Sequence, residues 1–220
     1  MKTTFETNNY QIEASVPGLF CGSEDGHFVG KYFDEKRRIL SDSLLISQVK
    51  ETAIKKKNSS SEEMTTRFSP IKVLSKSDSY EIASLYKKTF ESYPFPIFDP
   101  SFISDNMDND VTYYGIYDHH RLISVSSAEK DPKNLNAEMS DFSTLPEYRK
   151  NGLATKLLIK MTNDLRELGY FTCFTIARAE SFGMNITFAK AGYSFSGTLP
   201  NNTNIGGKIE SMNVWYKNLK

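Results

Sequence analysis

Within AEMSDFSTLPEYRKNGLATKLL, residues 137–158, Arg149, Gly152 and Ala154 stand in the spacing R-x-x-G-x-A. A β-rich run precedes them and the longest apolar stripe of helical period follows. That context suits a diphosphate. The first N–H groups of a helix lack internal partners and sit at the positive end of its dipole. An anion is stabilised there. Gly152 lets the backbone come close, Ala154 keeps the first turn narrow and Arg149 adds charge. An ordinary strand–loop–helix with a glycine turn has the same spacing, but the strand before and helix after favour the phosphate reading. The loop lacks the G-K-[ST] ending of a Walker motif and is no G-x-G-x-x-G dinucleotide loop.

A second signal is acidic. From Thr89 to His120 there is no Lys or Arg, whereas Glu91, Asp99, Asp105, Asp108, Asp110 and Asp118 fall there. Such a run is either a solvated surface or one wall of a pocket for a cation. Other candidates carry less. His119 and His120 have no partner at metal-ligand spacing and read as a turn, so no metal is expected. Cys21 and Cys173 are too few for a disulfide framework or a thiolate metal cage. Cys173 sits in an apolar run and reads as a small core residue.

These residues need a scaffold, and the composition supplies one. The chain has 220 residues, 39% hydrophobic and 13% aromatic, enough for a proper core. Its 27 basic and 27 acidic residues balance. That argues against nucleic acid held by bulk charge. No run approaches the roughly 18 apolar residues of a membrane span. The first residues lack the apolar centre of a signal peptide, which points to the cytoplasm. Nothing in the sequence sets an oligomeric state.

Residues 55–66, KKKNSSSEEMTT, read as a linker, and a boundary is placed near 67–70. Residues 1–69 are an extension without assignable chemistry: strands within Phe5–Val16, no clear period over Gly18–Gly30, and a helix over Ile39–Ile54. After Pro70 the pattern sharpens. Ile71–Leu74 is a strand. Asp78–Tyr93 is a helix with Ile82, Leu85, Tyr86 and Phe90 on one face, stopped by Pro94 and Pro96. Pro100–Met107 is a short helix. Val111–Tyr117 and Leu122–Ala128 are strands joined by a turn at 118–121, and Ala137–Leu145 is a third. Leu153, Leu157, Leu158, Met161, Leu165 and Leu168 stripe a long helix that Gly169 stops. Tyr170–Ala177 is a buried strand, Phe182–Lys190 a helix, and Tyr193–Leu199 and Ser211–Leu219 final strands. The order β-α-α-β-β-β-α-β-α-β-β predicts an α/β domain over 70–220 on a mixed central sheet flanked by helices.

This order, the R-x-x-G-x-A loop and GMNITFAKAGY (Gly183–Tyr193) together resemble the GNAT N-acetyltransferases. YPFPIFDP, AEMSDFSTLPEYR, TIARAESFGMNITFAKAGY and NNTNIGGKIESMNVWYK resemble one branch of that family, which acetylates the N6 amine of β-lysine to give a compatible solute. The resemblance covers most of 70–220 and is loose before it. It implies the GNAT fold, acetyl-CoA as co-substrate and a small-molecule amine as acceptor. It implies that Phe142, Ser143 and Thr144 on a splayed strand offer backbone groups to the pantetheine arm. The pyrophosphate is expected on Arg149, Lys150, Asn151, Gly152, Leu153 and Ala154, with Asn185 near the cofactor arm. Glu138 matches a strand carboxylate that often serves as base. One position departs: where many members carry a Tyr as acid toward the leaving thiolate, this chain has Phe188.

β-Lysine carries two ammonium groups and one carboxylate near neutral pH. Glu138, Asp141 and Asp99 are candidates for the ammoniums. Arg178 is the candidate for the carboxylate, since its fork binds two oxygens; the alternative is a surface ion pair. Asp99 before Pro100 is equally a turn or helix-cap residue. Tyr93, Phe95 and Phe98 line a pocket or are plain core. Other cationic amines (a polyamine, lysine, a protein lysine) and a non-catalytic acetyl-CoA-binding module are the competing functions.

Overall fold

The β-rich runs after Pro70 fold into one sheet, seen in a computed structural model that describes residues 2–57 and 68–220. From this point the order is β3 (Lys72–Val73), α3 (Ser79–Thr89), α4 (Pro100–Asp108), β4 (Val111–Asp118), β5 (Arg121–Asp131), β6 (Asn136–Thr144), α5 (Leu153–Glu167), β7 (Thr172–Arg178), α6 (Phe182–Lys190), β8 (Ser194–Ile205) and β9 (Lys208–Asn218). It is the order expected from the sequence. The seven strands lie as β3-β4-β5-β6-β7-β9-β8. Every neighbouring pair is antiparallel except β6–β7.

Period-two alternation gives each strand two faces. On β7, Cys173 and Ala177 join the main core with Leu157, Leu158 and Met161 of α5 and Phe188 of α6. Phe174 and Ile176 point the other way, against a smaller core of Ala14, Val16, Leu199, Met212 and Val214. That core belongs to an N-terminal hairpin, β1 (Gln11–Phe20) with β2 (Glu24–Gly30). The hairpin crosses the sheet closely enough that a Cβ on Gly197 would meet the Glu13 carbonyl oxygen at 2.0 Å. Ser196 seals the crossing, accepting from Ser15 N and donating to Ser15 O.

The N-terminal expectations need correction. Residues 2–7 form a short helix, α1 (Lys2–Thr7), where a strand was expected to begin, and the hairpin occupies the stretch left without a period. Pro17, Gly18 and Gly26 break the sequence alternation that would have revealed it. The helix expected over 39–54 is α2 (Ser43–Lys56), starting later because Asp42 caps it by accepting from Leu45 N. Helix α3 ends at Thr89, before the proline stop, because Phe90 turns extended. Strands β8 and β9 run on to a turn at Gly206-Gly207, both at positive φ. Of the stretch read as a linker, residues 58–66 lie outside the described residues, as does 67 of the expected boundary. Among the described residues no helix is long and apolar enough to cross a membrane.

Candidate active site

The phosphate-type loop stands between β6 and α5. Gly152 is the N-cap residue of α5 at φ 69°, and a Cβ there would meet nothing within 4 Å. The approach to the first helical amides is therefore open. Asn151 braces the loop by donating from Nδ2 to the Tyr148 carbonyl at 3.0 Å. Arg149 donates from Nε to the Thr144 carbonyl at 3.2 Å and stays exposed, as do Lys150 and Gly152. Leu153 is buried under the first turn. An anion is well served here by orphan amides, the helix dipole and two cationic side chains.

The strand leading to this loop splays. β6 and β7 pair only from Asn136↔Thr172 to Glu138↔Phe174. Beyond that point β6 runs on to Thr144 and β7 to Arg178, but the pairing stops. A cleft opens in mid-sheet with Glu138 at its apex. Phe142, Ser143 and Thr144 form its β6 wall. Their side chains are pinned: Phe142 packs edge-on to Phe188, Ser143 Oγ lies 2.6 Å from Thr89 Oγ1, and Thr144 Oγ1 lies 2.7 Å from Ser124 Oγ.

A bulge reshapes the same strand. The β5–β6 register slips between Val125↔Ser143 and Ser127↔Ser140, so Asp141 and Phe142 face Ser126 alone. Asp141 sits at φ 54°, a conformation Asp tolerates better than most residues. Strict alternation would send Ser140 and Asp141 to opposite faces; the bulge brings both to one. The Ser140 carbonyl freed by the slip accepts from Ser126 Oγ at 2.8 Å.

Three carboxyls gather on that face. Glu129 stands directly across from Glu138 in the β5–β6 register, with Asp141 beside them. Asp141 is buried and accepts from Tyr93 OH at 2.5 Å and Ser127 Oγ at 3.0 Å. Burial outweighs these bonds and raises its carboxyl above the ordinary range. Burial also pushes Glu138 up to about 8, helped by the charges of Glu129 and Asp141 and opposed by the Ile176 backbone N–H. Glu129 is raised by desolvation and by Asp141, though it opens to solvent. Among the described residues no Lys, Arg or His forms an ion pair with any of the three.

The remaining predicted residues divide. Tyr93 belongs to the acid face through Asp141, whereas Phe95 is 62% exposed. Asp99 is a helix cap: it accepts from Ser101 N at 2.9 Å at the start of α4 and is not part of the acid cluster. Asn185 is wholly buried with every position taken. Nδ2 donates to the Arg178 and Ser181 carbonyls, and Oδ1 accepts from Asn213 Nδ2 and Trp215 Nε1. Its side chain ties α6 to β9 and has no group left for a cofactor. Arg178 donates from Nε to Glu210 Oε2 at 2.8 Å and from Nη2 to Oε1. Glu210 is fully buried, while Arg178 stays 41% exposed at the open end of β7. Phe188 is buried between Phe142 and Tyr193, and its ring offers no proton. Burial pushes the Cys173 thiol up to about 12, which suits a core residue and not a nucleophile.

Glu129 and Glu210 were missed. Glu129 follows the buried run Leu122–Ala128 as an ordinary polar residue, and only its register against Glu138 gives it meaning. Glu210 lies in IGGKIES, where the sequence offered only a charge in a turn.

Comparison with known proteins agrees with this geometry. The profile of the acetyltransferase (GNAT) family matches residues 79–193. A β-lysine N(6)-acetyltransferase from Methanococcus maripaludis is 39% identical over 220 residues, covering 98% of this chain and 78% of that protein. The N-acetyltransferase YodP of Bacillus subtilis is 36% identical over 211 residues, covering 94% and 74%. Among solved structures, the ribosomal-protein-S18-alanine N-acetyltransferase from Escherichia coli superposes with a TM-score of 0.60 at 13% identity, over 69% of this chain and 94% of that one. That last likeness is one of fold.

Proposed function

We propose that this chain, which belongs to the acetyltransferase (GNAT) family and is an N-acetyltransferase, acetylates the N6 amine of β-lysine with acetyl-CoA. The observation that carries the reading is the splay of β6 from β7 with Glu138 at its apex. The relatives described above support the acceptor.

The residues fit acetyl-CoA at both ends. The open N-terminus of α5 at Gly152, flanked by Arg149, Lys150 and Asn151, suits a pyrophosphate. The stretch of β6 at Phe142, Ser143 and Thr144, unpaired on the side that faces β7, leaves backbone groups for an extended arm. When bound, acetyl-CoA supplies an activated acyl carbon. Glu138 takes the proton from the attacking amine, directly or through water. Its raised pKa helps. Proton transfer from an amine of pKa about 10.4 to a carboxylate at its ordinary 4.5 costs about 8 kcal/mol; to one near 8 it costs about 3 kcal/mol. Free backbone N–H groups of the splayed strand stabilise charge developing on the acyl oxygen.

In this reading Arg178 holds the substrate carboxylate with the guanidinium edge that Glu210 leaves free. Acetylation removes one positive charge, so β-lysine becomes a neutral zwitterion, a fitting property for a compatible solute. We place the reaction in the cytoplasm, and the β1–β2 hairpin serves as an accessory layer on the 70–220 domain. The engagement of Arg178 by Glu210 favours a second reading, a diamine without a carboxylate. Steady-state release of CoA thiol with β-lysine, lysine, cadaverine and spermidine decides between them. A kcat/KM for β-lysine well above the rest supports the first reading, and a preference for cadaverine or spermidine the second. Thiol release independent of any amine removes both.

A further inference from the structure

We propose that Glu129 and Asp141, backed by the hydroxyls of Tyr86 and Tyr113, form a seat for a second, non-reacting ammonium group, so that the enzyme selects acceptors carrying two amines. The proposal rests on the acetyl-transfer reading and concerns the same cleft.

The acid face holds more negative groups than the reaction needs. One carboxylate suffices as base, and Glu138 at the apex of the cleft is placed for it. Glu129 and Asp141 are then surplus, and neither has a cationic partner among the described residues. Gathering three carboxyls costs stability unless a ligand repays it. Asp141 is fixed by Tyr93 and Ser127, and Ser140 Oγ stands 3.3 Å from it. Glu129 opens to solvent and gives a cation its way in.

The second observation is independent of the acids. Among the described residues the hydroxyls of Tyr86 and Tyr113 have no hydrogen-bond partner, although both residues are 0% exposed. Asn106 approaches Tyr113 without closing a bond. Buried hydroxyls are nearly always partnered. Both lie in the field of the same carboxylates: Asp141 and Glu129 act on each. Tyr113 also stands opposite Ser127, whose hydroxyl holds Asp141. Two buried hydroxyls without a partner and two carboxyls without a cationic one form an acceptor-rich group among the described residues. An ammonium with three N–H donors matches it. A metal ion does not, since no group of three acids, His or Cys among the described residues is arranged to hold one.

The test compares β-lysine with 6-aminohexanoate, which keeps the carboxylate and the reacting amine and lacks only the other amine. Wild type is expected to favour β-lysine. Glu129→Gln, nearly the same shape, should lower kcat/KM for β-lysine roughly 10- to 100-fold more than for 6-aminohexanoate, the range for losing one charged hydrogen bond. Tyr86→Phe and Tyr113→Phe should do the same more weakly. They should also leave the ligand-free protein as stable or more stable, since each removes an unpaired buried hydroxyl. Equal use of the two amines by wild type overturns the seat and leaves acetyl transfer standing. An equal loss on both amines in Glu129→Gln, or Tyr→Phe variants that destabilise the free protein and keep the substrate ratio, also overturns it. Failure of wild type to acetylate either amine removes the β-lysine reading and the seat with it.

Discussion

Glu138→Gln removes one ionisable group from the apex of the cleft and keeps its shape. Its effect on stability can be worked from the folded-state pKa of about 8 against an ordinary 4.5. Because the folded value is raised, the folded protein holds a proton there that the unfolded chain has already lost. Stability from this group is therefore complete below about pH 4.5 and is lost as pH rises toward 8. The slope is about 1.4 kcal/mol per pH unit within that window. Between pH 5 and 7.5 the wild type should lose about 3 kcal/mol that Glu138→Gln does not lose. Glu129 and Asp141 remain in both proteins, so the difference between the two curves reports Glu138 together with its coupling to them. Urea denaturation in steps from pH 5 to 8 measures it. The same carboxyl should appear in catalysis with the opposite trend. Wild-type kcat/KM should climb with pH through about 8 as the base ionises, and the variant should turn over about 10²- to 10⁴-fold more slowly. Parallel stability curves would refute the reasoning, because Glu138 would then ionise at its ordinary value in the folded protein.

Gly152→Asp should fold, since its Cβ enters open space and Asp tolerates positive φ, but should weaken CoA binding by a few kcal/mol; unchanged affinity by calorimetry would remove the pyrophosphate assignment. Asn185→Ala strands the Trp215 and Asn213 donors and two carbonyls, so it should cost about 3–5 kcal/mol in urea denaturation. The CoA affinity of the folded fraction should be kept, and a selective loss of affinity would return Asn185 to the cofactor site. Arg178→Met combined with Glu210→Gln avoids leaving a buried charge alone; it should raise KM for β-lysine by about 1.5–3 kcal/mol and for cadaverine far less. An equal change for both would make the pair structural.

The sequence reveals most where one period runs long. The stripe from Leu153 to Leu165 buries one face of α5, and Tyr113–Tyr117 and Leu122–Ala128 are continuous buried runs in mid-sheet, so the core leaves a plain signal in each. The loop at Gly152 was legible for a related reason: a strand, a glycine and a long helix leave few alternatives. The acid face was only half legible. Asp141 reaches it through a bulge, and a bulge is a slip between two strands that no single strand announces. Glu129 reaches it through register, which is a property of the pair. Asn185 and Arg178 were placed near the right elements with their partners unseen. Those partners, Trp215, Asn213 and Glu210, lie far along the chain and meet them only once β9 is paired with β7. The N-terminal hairpin was lost because its core is borrowed: Ala14 and Val16 are buried by Leu199, Met212 and Val214, not by their own neighbours.

If Glu138 is the base, as proposed, its contrast with Phe188 indicates which half of the reaction the fold serves. At pH 7 freeing an amine of pKa about 10.4 costs about 4–5 kcal/mol, and that demand falls before the new bond forms. A leaving thiolate with a thiol pKa of about 8.5 is protonated by water at pH 7 with about 2 kcal/mol to spare. A base is therefore worth more than an acid. The elements follow that ranking. In the proposed reaction the splay, the bulge and the face of carboxyls all fall on the amine side. On the opposite face Phe142, Phe188 and Tyr193 pack edge to face as plain core, and the Tyr193 hydroxyl is turned to Thr162 at 3.1 Å. A Phe at position 188 is then no defect in the catalyst. It closes the apolar wall beneath Phe142 and so holds rigid the strand on which the amine side depends.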